Sequence, residues 1–274
     1  MIVEACKVSK SLGGKRVLNN VTFRAETKRL VILGHNGSGK TTLLSILLGL
    51  LKPDSGSAKL DGLDPFNRRE EVLRKASFAF EKPKFDVNLR VKDVYNFLRD
   101  YAEGDCLELF WGEVGLSGLK DNKLFELSSG QTQLVHLMQA ICRKSEIKVL
   151  DEPFSHLDYF RTGIIGDYLV RRGFQVIMTT HVPEEADWLA DYVVILKDGE
   201  VVWSGDFESL NNGDYFEVAV RGLFIPPGAL VKLGNVYIVK SSQDELERLM
   251  REGKIMGYKR AGVRRHYEAY KVVP

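Results

Sequence analysis

The sequence has little cysteine, almost no net charge and no long apolar run, and each shortage excludes something. Only three cysteines occur in 274 residues, at Cys6, Cys106 and Cys142. Their number is odd, their spacing is wide and no CxxC pair occurs. This argues against a zinc site or a disulfide framework and for a reducing compartment. Lysine and arginine number 39 against 37 aspartates and glutamates, a formal net charge of +2. A nucleic-acid-binding chain would carry a stronger basic excess, so no nucleic-acid partner is expected. The longest apolar stretch, residues 43–51, is broken by Ser45 and Gly49. A membrane-spanning helix needs about 20 apolar residues, so the chain is expected not to cross a bilayer. The opening MIVEACKVSK has no apolar core of signal-peptide length.

The residues that are present suit an ordinary globular chain with one large α/β unit and a small appendage. Val21, Phe23 and Ala25 alternate with polar residues, and residues 29–33 form a short apolar run. Strand-sized runs recur at 76–80, 147–150, 175–178 and 192–196, with helical patterns between them. This alternation predicts a mainly parallel sheet flanked by helices. Between 86 and 145 the pattern changes. Val91, Val94, Tyr95, Leu98 and Tyr101 fall at helical spacing, and Leu107, Phe110 and Val114 continue it, which predicts an inserted helical subdomain.

Asn211-Asn212-Gly213 is a turn cluster and the predicted boundary between residues 1–212 and 213–274. Beyond it Phe216, Val218 and Val220 alternate, and Val236 and Ile238 do so less cleanly. Ser242, with Glu245 three residues on, predicts a capped helix ending at Gly253. The appendage is thus expected to be a small mixed α+β unit. Its end is basic, with Arg260, Arg264 and Arg265 among seven cations against Glu252 and Glu268 over residues 251–274. Such a run is either a solvated face or a contact for anionic lipid head groups or a membrane partner.

Residues 34–41 read GHNGSGKT and fit G-x-x-x-x-G-K-[ST], between an apolar strand and a helix-forming run. Gly34, Gly37 and Gly39 let the backbone curl so that its N–H groups surround a polyphosphate. The following helix points its positive end at the same anion. Gly34, Asn36, Gly37, Ser38, Gly39, Lys40, Thr41 and Thr42 are the predicted nucleotide-binding set. Lys40 reaches the terminal phosphates and Thr41 offers a hydroxyl to Mg2+. The run at 147–150 ends in Asp151-Glu152. Ligands sit beyond the C-terminal edge of such a sheet. Asp151 is therefore predicted to hold the Mg2+ ion, and Glu152 to orient and deprotonate an attacking water. Standing alone, the pair has a solvated strand end as its lesser alternative reading.

The pair does not stand alone. Leu127-Ser128-Ser129-Gly130-Gln131 precedes it, Ser155-His156-Leu157-Asp158 and His181 follow, and Asp198-Gly199-Glu200 with Gly205 closes the series. In this order the motifs closely resemble those of the ABC ATPase superfamily over residues 1 to about 212. The resemblance implies a P-loop NTPase core with a mainly parallel sheet, an antiparallel N-terminal β region and the inserted helical subdomain. It implies ATP and Mg2+ as cofactors. Two such chains face each other head to tail, so Ser128, Gly130 and Gln131 of one would act on ATP held by the other, with Asp158 nearby. Glu152, His181 and Lys40 would be the catalytic set. A transmembrane permease subunit and a second ATP-binding subunit are the implied partners. The implied location is cytoplasmic, on the inner face of the cell membrane.

Two positions depart from the family pattern. Glu81 stands where a glutamine is usual, and is retained as a residue sensing Mg2+. It lies in a segment, Phe80-Glu81-Lys82-Pro83-Lys84-Phe85, which the resemblance implies receives a helix of the membrane subunit, with Phe85 as an aromatic anchor. Leu12 stands where an aromatic often stacks on adenine, which leaves ATP against GTP open. The appendage loosely resembles tails of exporters handling drugs, polyketides or polysaccharides. Export is therefore expected, with an energy-coupling-factor import ATPase or a non-transport ATPase of iron–sulfur assembly as alternatives. The single cassette without a coiled-coil insertion argues against translation or chromosome handling.

Overall fold

The chain opens with a long hairpin of β1 (Ile2–Leu12) and β2 (Lys15–Glu26), followed by β3 (Arg29–Leu33) and α1 (Lys40–Leu47). This computed structural model describes residues 1–81, 88–211, 214–220, 222 and 224–272. Next come β4 (Ser55–Leu60), α2 (Arg69–Lys75) and β5 (Ala76–Ala79). α3 (Val91–Leu98), α4 (Cys106–Trp111) and α5 (Ser129–Cys142) then build the helical insertion. β6 (Ile147–Asp151), α6 (Tyr159–Arg171), β7 (Gln175–Thr180), α7 (Pro183–Leu189), β8 (Tyr192–Lys197), β9 (Glu200–Asp206) and α8 (Phe207–Asn211) return to the sheet.

The main sheet runs β5-β6-β7-β3-β8-β9. Its first five strands are parallel, and β9 turns back on β8 in an antiparallel hairpin. β2-β1-β4 form a separate antiparallel sheet. β3 is a central strand of the main sheet buried on both faces, which explains its apolar run. Its Leu30 and Ile32 join the core beneath the antiparallel sheet, while Val31 and Leu33 face the helical insertion, α6 and α7. Parallel strands ending together bring the loops after β3, β6 and β7 to one edge, where the 34–41 loop, Asp151-Glu152 and His181 meet. Among the described residues no helix is long and apolar enough to cross a membrane.

The expectation about cysteine is corrected by the structure. Cys106 at the start of α4 and Cys142 at the end of α5 form a disulfide, with Cα atoms 5.2 Å apart, while Cys6 is free and exposed. Cys106 and Cys142 are wholly buried among Leu107, Phe110 and Met138. Spacing of 36 residues hid the pairing, because packing of α4 on α5 rather than sequence proximity brings the two together.

Residues beyond 213 build β10 (Tyr215–Val220), β11 (Ala229–Leu233), β12 (Val236–Lys240), α9 (Gln243–Arg251), β13 (Ile255–Arg260) and α10 (Val263–Val272). The antiparallel order is β11-β12-β10-β13. Ser242 caps α9 by accepting the Glu245 N–H, as its spacing predicted. Leu246 and Leu249 of α9 cover Phe216, Val218 and Tyr237 on one face of this sheet. α10 leans on β11 and reaches back onto α7, α8 and β8. The basic run is engaged within the chain. Arg264 meets Glu184 and Glu268, Arg265 meets Glu217 and Glu268, and Arg260 lies over the Phe216 ring. Asn212 and Gly213, at the expected boundary, lie outside the described residues.

Candidate functional site

The loop after β3 wraps around a lysine. Lys40 is almost wholly buried, and its Nζ donates to the carbonyls of Gly34 at 2.7 Å and His35 at 3.1 Å. Gly39 makes the turn into α1 with φ +104°, and a Cβ there would stand 2.8 Å from the Val17 carbonyl. Only glycine tolerates both the dihedral and the approach. From outside, the β8–β9 turn braces the loop. Gly199 N–H donates to the Ser38 carbonyl at 3.1 Å, and the His35 ring lies 3.3 Å from Asp198. The Ser38 hydroxyl is buried and has no hydrogen-bond partner among the described residues. It faces Gly34, where a Cβ would fall 2.5 Å from it, so it packs inside the loop and not among the residues that line the cavity.

β6 and β7 deliver the acids to the same place. Asp151 accepts from the Thr41 hydroxyl at 2.7 Å and from the Thr179 hydroxyl. Burial pushes the Asp151 carboxyl up, and these two bonds pull it back down. Glu152 adopts φ +48°, a conformation that a side-chain-bearing residue holds only under constraint from its surroundings. The constraint is visible: Glu152 N–H lies 3.0 Å from Thr179 Oγ1 and 3.2 Å from the Thr179 carbonyl. One carboxylate oxygen of Glu152 then meets His181 Nδ1 at 2.8 Å and its backbone N–H at 3.3 Å. The other stands 3.0 Å from Lys40 as an ion pair rather than a directed hydrogen bond.

A cavity of about 320 Å³ opens on this network, lined by Val17, Asn36, Gly37, Gly39, Lys40, Thr41, Thr42, Glu81 and Glu152. Glu81 thus reaches the site, whereas Lys82, Pro83, Lys84 and Phe85 lie outside the described residues. Thr41, Asp151 and Glu81 are hard oxygen donors of the kind Mg2+ prefers. No group of three or more His, Cys, Asp or Glu among the described residues could cage a metal. That donor set fits an ion held largely by phosphate oxygens and water.

The sequence profile of the ABC transporter family matches residues 18–155. The chain belongs to that family. A putative ABC transporter ATP-binding protein of Pyrococcus abyssi is 33% identical over 80% of this chain and 87% of its own length. The petrobactin import ATP-binding protein YclP of Bacillus subtilis is 31% identical over 76% and 88%. A solved dimeric structure of a bacterial ABC transporter cassette superposes with a TM-score of 0.63 at 24% identity, covering 74% of this chain and 98% of that one. The mixed α/β fold is that of ABC cassettes, and the domain is an ATP-hydrolysing nucleotide-binding domain.

In this ABC cassette the signature residues do not line the cavity of their own chain. Ser128 instead caps α5, exchanging hydrogen bonds with Gln131 in both directions, and is exposed. Gly130 packs against the Ser155–Asp158 turn, where a Cβ would fall 2.6 Å from the His156 carbonyl. Asp158 caps α6, taking the Arg161 N–H at 2.9 Å and its guanidinium at 2.8 Å. Leu12 is exposed at the end of β1, and Val17 rather than Leu12 forms the apolar wall of the cavity.

Sequence reasoning missed four further residues around the site. Gln133 ties α5 to the Pro153 carbonyl at 3.1 Å, and the ring of His136 meets the Phe80 carbonyl at 3.1 Å, next to Glu81. Their spacing of three on a helix, both polar on a face otherwise bound for the core, was the available signal. Thr179 and Thr180 end an apolar strand with two hydroxyls, yet nothing local shows what they hold.

Proposed function

We propose that this chain binds ATP with Mg2+ at the 34–42 loop and hydrolyses it with Glu152 as the general base. The observation that supports this best is the shared Glu152 carboxylate, 2.8 Å from His181 and 3.0 Å from Lys40. A base must be held, dry and oriented, beside the group that binds the reacting phosphate. Lys40 supplies positive charge at the terminal phosphates, and His181 keeps Glu152 and the γ-phosphate in register. Thr41, Asp151 and Glu81 would hold Mg2+, which when bound offsets charge on the phosphate oxygens. Ser128, Gly130 and Gln131, with Asp158, would complete the site of a second copy, because they do not line the cavity of their own chain. The likeness to a dimeric cassette supports this reading.

The output is the movement of a separate transmembrane permease subunit at the inner, cytoplasmic face of the membrane. The accessory segment favours export. The likeness to a protein named for petrobactin import favours import as a second reading. Anionic lipid head groups are a further candidate partner for the basic tail, in competition with the carboxylates that Arg264 and Arg265 already meet. Co-purification from native membranes, with identification of the partner, tests the assignment. A partner with about six apolar segments of about 20 residues is the expected result. Recovery with soluble proteins alone would overturn the transport reading.

A further inference from the structure

The turn that carries His181 is tied down by a bond network that ends in the accessory segment. Thr180 donates its hydroxyl to Glu185 Oε2 at 2.6 Å and accepts the Val182 N–H at 3.0 Å. These two bonds bracket His181 from both sides. Glu185 sits in the first turn of α7, after Pro183. Ala186 and Leu189 of the same helix are buried in one apolar cluster with Tyr267 of α10. On the solvent side, Arg264 of α10 meets Glu184 at 2.9 Å. α7 is therefore held between the histidine turn and α10.

We propose that Glu185 is a positioning residue for hydrolysis, fixing the 180–182 turn so that His181 stays on Glu152, and that α10 holds it there through α7. The inference rests on the reading of Glu152 and His181 above. A carboxyl in this place is expensive. Burial raises Glu185 to about 7, and the Glu152 charge adds to the rise. A residue serving only to start α7 would sit in water, where its charge favours the helix N-terminus without that penalty. The arrangement also gives the accessory segment a task inside its own chain. Any displacement of α10 would be felt at the base through Glu184, Glu185 and Thr180.

The test is steady-state ATPase kinetics and melting of the full-length chain. His181→Ala is measured first, since normal turnover there would overturn the reading of the site itself. With His181→Ala inactive, Glu185→Ala is expected to lower kcat about tenfold while KM for ATP stays within about twofold, the pattern of a lost transition-state contact. Glu185→Gln keeps an acceptor for Thr180 and should restore most of the rate. Thr180→Val breaks the same bond from the other side with little change of shape, and should match Glu185→Ala even if the latter melts too low to assay. Arg264→Glu should lower kcat in the same direction, and the reciprocal Glu184→Arg with Arg264→Glu should recover it. Wild-type kcat in both Glu185→Ala and Thr180→Val overturns the positioning role. Failure of glutamine to rescue also overturns it, since that marks a general loss of packing. Unchanged kcat in Arg264→Glu overturns the part assigned to α10.

Discussion

His181 and Glu152 meet through a single carboxylate oxygen, which takes both the imidazole Nδ1 at 2.8 Å and the backbone N–H of the same residue at 3.3 Å. The opposite oxygen faces Lys40 at 3.0 Å. One side chain therefore bridges the loop after β7 and the loop after β3. Two residues from different elements fix the orientation of Glu152, and the φ of +48° at Glu152 is the backbone counterpart of that constraint.

Replacing Glu152 by glutamine keeps the shape and removes the carboxylate proposed as the base. ATP binding should persist while turnover falls by ~10²–10⁴. The variant should also accumulate as an ATP-bound dimer in size-exclusion chromatography. Hydrolysis at the wild-type rate would show that Glu152 is not the base.

Ser128 is exposed at the α5 N-terminus and absent from the cavity of its own chain. Ser128→Arg should leave ATP binding by the single chain nearly intact but abolish ATP-driven dimerisation and turnover. Equilibrium binding beside sedimentation measurements separates the two. Full activity as a monomer would exclude a site shared between chains.

Lys148 is a wholly buried cation, bonded to the Arg143 carbonyl and to Ser145 Oγ at 2.9 Å, with Phe174 stacked 4.9 Å away. Burial lowers its ammonium to about 8 from an ordinary 10.5. Between those values the folded chain has released a proton that the unfolded chain still holds, so this contribution to stability rises with pH. Denaturant melts of wild type and Lys148→Met from pH 7 to 10.5 should show the balance shifting toward wild type above about 8. A constant difference across that range would mean that Lys148 is solvated.

The Cys106–Cys142 bond closes a 36-residue separation, and constraint of the unfolded chain by such a loop is worth about 4 kcal/mol in the chain-entropy treatment. Thiol titration of the unfolded, unreduced chain should find Cys6 alone. Reduction, or Cys142→Ser, should lower the melting temperature by several degrees. Three titratable thiols in the isolated protein would contradict the pairing.

The 34–41 loop, the Asp151-Glu152 pair, the 127–131 run and His181 were all legible as text. Each motif occupies a few consecutive residues, and its chemistry depends on backbone geometry that those residues set among themselves. Gly39 must be glycine because of its own dihedral and one close carbonyl. Ser128 and Gln131 cap a helix with each other. The strand runs were equally plain, since β3 is buried on both faces and can hardly read otherwise. Sequence order also implied that these loops would share one sheet edge.

What the tertiary structure alone decided lies between residues distant in the chain. Cysteine spacing pointed away from a disulfide, yet packing of α4 on α5 brings Cys106 to Cys142. Position 12, where an aromatic often stacks on adenine, holds an exposed leucine, and the start of β2 supplies Val17 to the cavity instead. The basic tail read as either a solvated face or a contact for lipid or partner, and only the fold shows Arg264 turned toward Glu184 and Arg265 toward Glu217. Tyr267 carries no local sign that it belongs to the ATPase core, and neither Thr180 nor Glu185 reveals its partner. A motif is encoded by neighbours along the chain. A contact between separate elements depends on how those elements pack, and that packing is set by burial summed over the whole core rather than by any short span of sequence.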